Sequence, residues 1–406
     1  MSQLHGTVGP GFDGVRAAFE AGQRDEPGLG QLCVYLHGEP VVDLWTGATE
    51  TETATETATE TDADTDAVSV LMSCSKGITA TCAHLLAQRG ELDLDAPVAR
   101  YWPEFGAAGK DRITVADLLS HRAGLPGFTR ESGIGGAEML DWSACTEALA
   151  AMAPLWQPGT AMMYHSVTFG WLVGEVIRRV SGRSVGTFLA DEIAGPLGLD
   201  LWIGLPAEQE HRVVPQFGQA APTSPERLRA GLSMLGVDLT TPLAQVLLYG
   251  AETVDSVRDV LNSPAGHAVE VPAANGIGNA RSLARLYAAT IGEVDGIRLL
   301  DADTVARARA SQTVQLPAPA ALAAIPDPHP LHFGLGYELS RSGNPQFGPG
   351  SFGHSGAGGR LGFAHPESGL AVGYVCTNLT WDHTAGPDPR WLPWTEALHE
   401  AVAATH

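Results

Sequence analysis

The chain has 406 residues, 44 % of them hydrophobic and 17 % charged, which is the balance of an ordinary globular protein with enough length for one large core or two. Its formal charge of −22 argues against nucleic acid and anionic lipid surfaces as partners, because both are bound through clustered Lys and Arg. Five cysteines (33, 74, 82, 145 and 376) are odd in number and lack ligand spacing, so free thiols in a reducing, cytoplasmic setting are expected.

At the amino terminus, "MSQLHGTVGPGFDGVRAAFEAG" lacks a basic stretch followed by an apolar one, and no run reaches about 18 consecutive apolar residues. Neither a signal peptide nor a membrane span is predicted. Phe12, Val15 and Phe19 fall at helical spacing, which predicts an amphipathic helix over residues 11 to 21. The text "LCVYLHGEPVVDLWTG" then reads as a β-hairpin, two short β-rich runs around His37, Gly38, Glu39 and Pro40. Residues 50 to 66 carry seven acids and no base around a "TETATETATETD" repeat, which predicts an acidic, solvated, mobile loop.

From residue 73 to about 300 the pattern is helical, with periodic segments at 75–89, 114–120, 143–152, 166–181, 184–194 and 279–291 between Gly and Pro loops. After residue 330 strands return in "HFGLGYEL", "SFGHSG", "RLGFAHP" and "LAVGYVCTNL", and a last helix covers roughly 391–404. Strands at both ends with helices between them predict an α/β (α+β) fold. Residues 1–72 and 300–406 would share one antiparallel sheet flanked by helices, and 73–299 would form an inserted helical lobe. A ligand cleft is expected between the two.

Of the 24 basic side chains all but two are arginine, the exceptions being Lys76 and Lys110. A position that must lose its proton needs lysine, so Lys76 in "LMSCSKGITA" reads as a chemical choice. In a helix starting near residue 73, positions i and i+3 share a face, so Ser73 meets Lys76 while Ser75 points elsewhere. Ser73 at the helix start also lies near free backbone N–H groups that favour a developing oxyanion. Tyr164, in "MMYHSVTFGWLVGEV", precedes an apolar helix and can project from a loop into the cleft as proton shuttle. The glycines of "FGHSGAGGRLGF" permit close backbone approach, so this strand can line an acyl group and donate an N–H to it.

Taken in this order and spacing, these three pieces resemble the serine β-lactamase and penicillin-binding protein superfamily, whose motifs are S-x-x-K, Y-x-N and K-T-G. The resemblance spans nearly the whole chain, through "LLSHRAGLPGF", "PGTAMMYHS", "DEIAGPLGLDLWIGLP" and "ANGIGNARSLARLYAA". It is narrowest to the class C-like branch that contains family VIII carboxylesterases. It implies a β-lactamase/transpeptidase-like fold, Ser73 as acylated nucleophile, Lys76 as its base partner and Tyr164 as shuttle to the leaving alkoxide. The oxyanion would be held by the N–H groups of Ser73 and Ala357.

Two departures bear on substrate. Ser166 stands where the asparagine of Y-x-N would be, and His354-Ser355-Gly356 replaces K-T-G. Without that amide and without a permanent cation, cleavage of esters with small or medium acyl groups is expected, with at most weak β-lactam turnover. An acyltransferase or peptide cyclase using the same acyl-enzyme is the alternative, and a non-catalytic penicillin-binding-like module is a weaker one.

A rival nucleophile is Ser355 in "GHSGA", followed by Asp382 or Asp388 and by His399, but only 51 residues follow it, too few for the β-α units that such an elbow needs. The fourteen histidines show no zinc-ligand spacing, so no metal and no cofactor is expected. His121 reads as a structural hydrogen-bonding residue. Trp142, Trp156 and the apolar segment 231–249 are expected at the rim. The partner is a small-molecule ester or acyl donor, and nothing in the sequence specifies an oligomeric state.

Overall fold

The computed structural model describes residues 3–47, 66–218, 224–381 and 386–404. All of the acidic repeat except Asp66 lies outside them, as does Asp382. A seven-stranded sheet is built from β1 (Leu4–Val8), β2 (Gly30–Leu36), β3 (Glu39–Thr46), β7 (Glu338–Leu339), β8 (Phe352–Gly356), β9 (Arg360–His365) and β10 (Leu370–Cys376). Its order is β1-β3-β2-β10-β9-β8-β7 and every pairing is antiparallel. The two ends of the chain therefore meet where β2 runs beside β10, with Val34 opposite Val372. A smaller sheet, β4 (Ser69–Val70), β5 (Leu201–Ile203) and β6 (Gly276–Gly278), was not foreseen, because its strands of two or three residues are too short to show an alternation.

Alternation along β2 and β10 gives the large sheet two apolar faces. Leu32, Val34, Leu370, Val372 and Tyr374 join Phe12, Val15 and Phe19 of α1 (Asp13–Gln23) and Trp394 and Leu398 of the last helix, α6 (Leu392–Ala404), in one core. Cys33, Tyr35, Ala371 and Val375 belong to the larger core on the other face, which runs on into the helices.

On that face lies α5 (Ala280–Ile291). It falls inside the span read as the helical lobe, yet it packs on β2, β9 and β10. Gly362 of β9 pairs with Gly373 of β10, and the floor they form is flush. A Cβ on Gly373 would collide with the Ala280 carbonyl, and one on Gly362 would come 2.7 Å from the Tyr287 ring.

The remaining helices used below are α2 (Cys74–Gln88), α3 (Thr168–Ser181) and α4 (Pro242–Leu261). Apart from Gln88, the residues of α2 are buried or nearly so, as its weak polar face demands, and the helix ends before Gly90 at φ 75°. The twenty-residue α4 was legible only as the apolar stretch 231–249. It starts at Pro242 behind a Thr241 cap whose hydroxyl accepts the Ala244 N–H, a start signal that the sequence does contain. Among the described residues no helix is long and apolar enough to cross a membrane.

Candidate active site

Met72 adopts φ 50°, an unusual conformation for a residue with a side chain, and this turn carries the chain from β4 into α2 with Ser73 at its head. Ser73 makes no side-chain cap bond, so its hydroxyl is not spent on its own helix. Instead Oγ lies 3.0 Å from Lys76 Nζ. Nζ also donates to the Ala273 carbonyl at 2.9 Å and stands 4.8 Å from the centre of the Tyr164 ring.

Ser75 faces away. Its hydroxyl donates to the Met72 carbonyl at 2.5 Å and accepts the Gly276 N–H at 2.8 Å, tying the turn to the small sheet. The i, i+3 argument thus brings together the pair it named and excludes the neighbour.

Lys76 is fully buried with no carboxylate beside it among the described residues, and burial holds its ammonium well below the ordinary lysine value. Tyr164 also lies in the cleft wall. Burial pushes its phenol up, while a hydrogen bond with Ser73 acts in the opposite sense, so the resting group is a protonated donor. Its ring stacks on Phe333 at 5.8 Å, with the His121 ring 4.9 Å away.

His121 Nδ1 accepts the His165 N–H, and His165 Nε2 accepts the Leu125 N–H. These two imidazoles fix the loop that carries Tyr164. Burial pulls His165 down to about 4 and His121 well below its ordinary value, so both are neutral.

On the opposite wall, β8 presents His354 and Ser355, and Ala357 follows it. His354 is buried and pulled to about 4, chiefly by burial, so it supplies no cation in place of the lysine of K-T-G. Its Nδ1 bonds the Ser355 carbonyl at 2.7 Å.

Ser355 donates from both its hydroxyl, at 2.6 Å, and its backbone N–H, at 3.0 Å, to Glu338 Oε2. Arg341 and Asn344 hold the other positions on that buried carboxylate at 2.9 and 3.0 Å. Burial raises the Glu338 carboxyl, but the opposing pull of Arg341, His354 and Ser355 leaves it below the ordinary value. Sequence reasoning missed Glu338, whose only signal was an acid near the end of the apolar run "HFGLGYEL".

As a nucleophile Ser355 is badly placed. It lies within a strand rather than at a strand-to-helix turn, Asp388 is engaged by Arg390 at 2.6 Å, and His399 stacks on Phe347. Gly356 is packed against the entry to α2, where a Cβ would come 2.5 Å from the Leu71 carbonyl.

Ser73, Tyr164, Ser166, His354, Ser355 and Ala357 line one cleft of about 370 Å³ with Glu338, Phe333 and Trp381. Two further clefts meet it at Tyr164. One, of about 280 Å³, is walled by Phe128, Met139, Val246 and Val257; the other, of about 740 Å³, runs under the proline-rich loop before Phe333. Of the residues expected at the rim, Trp142 lines none of these clefts and donates to Glu175 at 2.8 Å, whereas Trp156 donates to the Ala161 carbonyl and packs in the apolar cluster of Leu247 and Leu322, which line the 740 Å³ cleft.

The arrangement is a hydroxyl, an amine that can lose its proton and a phenol around an open cleft, which is the equipment for acyl transfer. A family model described as "Beta-lactamase" matches residues 15–392. Over 385 residues, 93 % of this chain and 83 % of the relative, the sequence is 36 % identical to the esterase/beta-lactamase LipL of Mycobacterium tuberculosis.

Among solved structures, EstA from Arthrobacter nitroguajacolicus Rue61a superposes with a TM-score of 0.80 at 31 % identity, covering 99 % of both chains. A family VIII carboxylesterase superposes at 0.77 and 32 %, covering 98 % of this chain and 100 % of its own. The chain belongs to the beta-lactamase family and is a serine hydrolase.

Proposed function

We propose that the protein hydrolyses neutral carboxylic esters of small or medium acyl groups through an acyl-enzyme on Ser73. The observation that carries this reading is the 3.0 Å contact between Ser73 Oγ and the amine of a fully buried lysine, whose burial favours the neutral form. Ser73 gives its proton to Lys76 as Oγ attacks the carbonyl, and the N–H groups of Ser73 and Ala357 receive the oxyanion. Tyr164 protonates the departing alkoxide and is reprotonated from Lys76. Water then repeats the sequence on the acyl-enzyme, its proton passing to the Tyr164–Lys76 pair. A positioned base is worth about 10²–10⁴ in rate and one oxyanion donor about 10²–10³.

The substrate class follows from what surrounds these groups. His354 is neutral and Glu338 is ionised where a β-lactam would place its carboxylate, and Ser166 offers no amide, so β-lactam turnover is weak at most. The 280 Å³ apolar cleft accommodates an acyl chain of modest length. The likeness to LipL, EstA and the family VIII carboxylesterase, proteins named for ester cleavage, supports the same class.

The reading divides the chain into a sheet unit (1–72 and 300–406) and a helical lobe (73–299) with the cleft between them, α5 excepted. It places the protein in the cytoplasm, in keeping with five free, buried cysteines.

The test is hydrolysis of p-nitrophenyl butyrate by wild type, Ser73→Ala, Ser75→Ala and Ser355→Ala, with intact-mass detection of the adduct. Loss of turnover and adduct in Ser73→Ala, with neither Ser75→Ala nor Ser355→Ala inactive, is expected. Activity surviving in Ser73→Ala would overturn the assignment.

A further inference from the structure

Behind the cleft lies a charge that the mechanism above does not use. Arg360, the first residue of β9, is wholly buried. Its Nη1 donates to the Ala357 carbonyl at 3.0 Å, and its Nε and Nη2 have no hydrogen-bond partner among the described residues. Among the described residues no carboxylate pairs with it. The charged group beside it is another arginine, Arg390, which Asp388 and Glu26 already engage at 2.6 and 3.6 Å. Its other near neighbours are Cys376, Cys74 and Tyr374, and burial keeps the Cys74 thiol and the Tyr374 phenol neutral.

An unpaired cation in a dry interior is costly, and a fold retains one only where it acts on something. Here it acts on two things. The bond to the Ala357 carbonyl fixes the turn between β8 and β9 at a residue that lines the cleft and whose N–H is assigned above to the oxyanion. The uncompensated charge sits behind that turn and beside Cys74, the residue following Ser73, in surroundings that screen it poorly.

We propose that Arg360 is a positioning residue of the oxyanion site: it tethers Ala357 and supplies the permanent positive charge that favours the tetrahedral intermediate. This rests on the Ser73–Ala357 reading above. It also accounts for a site that lacks the cation of K-T-G on β8, since a charge is supplied from the neighbouring strand β9, where Arg360 pairs with Gly356.

The experiment compares wild type with Arg360→Gln, Arg360→Met and Arg360→Lys. Active sites are counted by burst titration, kcat and KM are measured on p-nitrophenyl butyrate, and Ki is measured for phenylboronic acid, which forms a tetrahedral adduct on serine. The neutral variants are expected to lose about 10- to 10²-fold in kcat per active site with KM within about 3-fold, less than deletion of a donor outright. Boronate affinity should fall by the same factor. Arg360→Lys, which keeps the charge and loses the fork, should lose roughly 3- to 10-fold in both.

If the neutral variants lower only the number of active sites, with kcat per site and boronate Ki unmoved, Arg360 is merely structural and the proposal is overturned. Should neither neutral variant fold, an Arg360→Lys enzyme with wild-type kcat and Ki overturns it equally. Ser73→Ala is run alongside. Activity persisting there removes the site reading itself, whereas an inactive Ser73→Ala with indifferent Arg360 variants removes this inference alone.

Discussion

The two lysines of this chain are both completely buried, yet they have been given opposite environments. Lys110 donates to the carbonyls of Ala107 and Ala150 at 3.0 Å each and to that of Met152, so all three ammonium protons have acceptors. Burial lowers it only to about 8, and at neutral pH it remains a cation that closes the end of the helix Trp142–Ala151. Lys76 has one carbonyl, one serine hydroxyl and an aromatic face, and burial takes it well below its ordinary value. Burial drives both shifts, and Lys76, wrapped more deeply by the protein than Lys110, is moved further. Around Lys110 three carbonyls also receive the ammonium protons, whereas Lys76 has a single carbonyl and the hydroxyl it is placed to deprotonate.

The contrast can be broken most forcibly at Lys76. Lys76→Met, and Lys76→Arg with its locked charge, should each lower kcat/KM on p-nitrophenyl butyrate by about 10²–10⁴, while the melting temperature of the Met variant stays at or above that of wild type. Retention of more than a tenth of wild-type activity in either would refute the base assignment. Lys110→Met should do the reverse. It orphans two buried carbonyls, those of Ala150 and Met152, at about 1–3 kcal/mol each, so a loss of at least ~2 kcal/mol in denaturant unfolding is expected, with kcat per active site unchanged.

Acid sharpens the comparison further, because the surroundings of Lys76 include imidazoles that must stay neutral. His165 and His354, with His84 on α2, are held near 4 against an ordinary 6.5. Above pH 6.5 neither the folded nor the unfolded chain protonates them. Between 6.5 and 4 the unfolded chain binds the protons first, so stability is lost as pH falls, by on the order of 3 kcal/mol per histidine. Urea midpoints measured from pH 7 to pH 4 should show this slope, and it should shrink in His84→Gln, if that variant folds.

The smallest expected effect is that of Ser166→Asn. Placing an amide in the cleft beside Tyr164 should raise turnover of a chromogenic cephalosporin a few-fold and leave ester hydrolysis within about 3-fold; no gain would show that the carboxylate side of the cleft alone blocks β-lactams.

Much of this was legible because it is local. The Ser73–Lys76 geometry follows from three residues of helix, the hairpin at His37 from its turn residues, and the final three strands from alternation between glycines. The return of the chain's ends to one sheet followed from strands at both termini. What escaped depends on partners far apart in sequence. Glu338 is an ordinary acid until Ser355 and Arg341 converge on it, and Arg360 looks like one arginine among many until its lack of a carboxylate is seen. α5 carries the same period as any amphipathic helix, and only the paired glycines beneath it decide that it lies on the sheet. Trp142 was misplaced because composition does not tell which indole finds an acceptor inside.

That glycine floor has a bearing on how the protein fails when heated. Tyr287 of α5 rests on Gly362 of the sheet and reaches with its hydroxyl to Gly77 of α2, where a Cβ would clash with it. Sheet, α5 and the helix that starts at Ser73 are thus stacked with no slack between them. The wall bearing Ala357 and the helix bearing Ser73 cannot drift apart gradually; they separate only when the stack itself comes undone. Thermal inactivation should accordingly be abrupt and coincide with the calorimetric transition, without a preceding range in which folded enzyme idles.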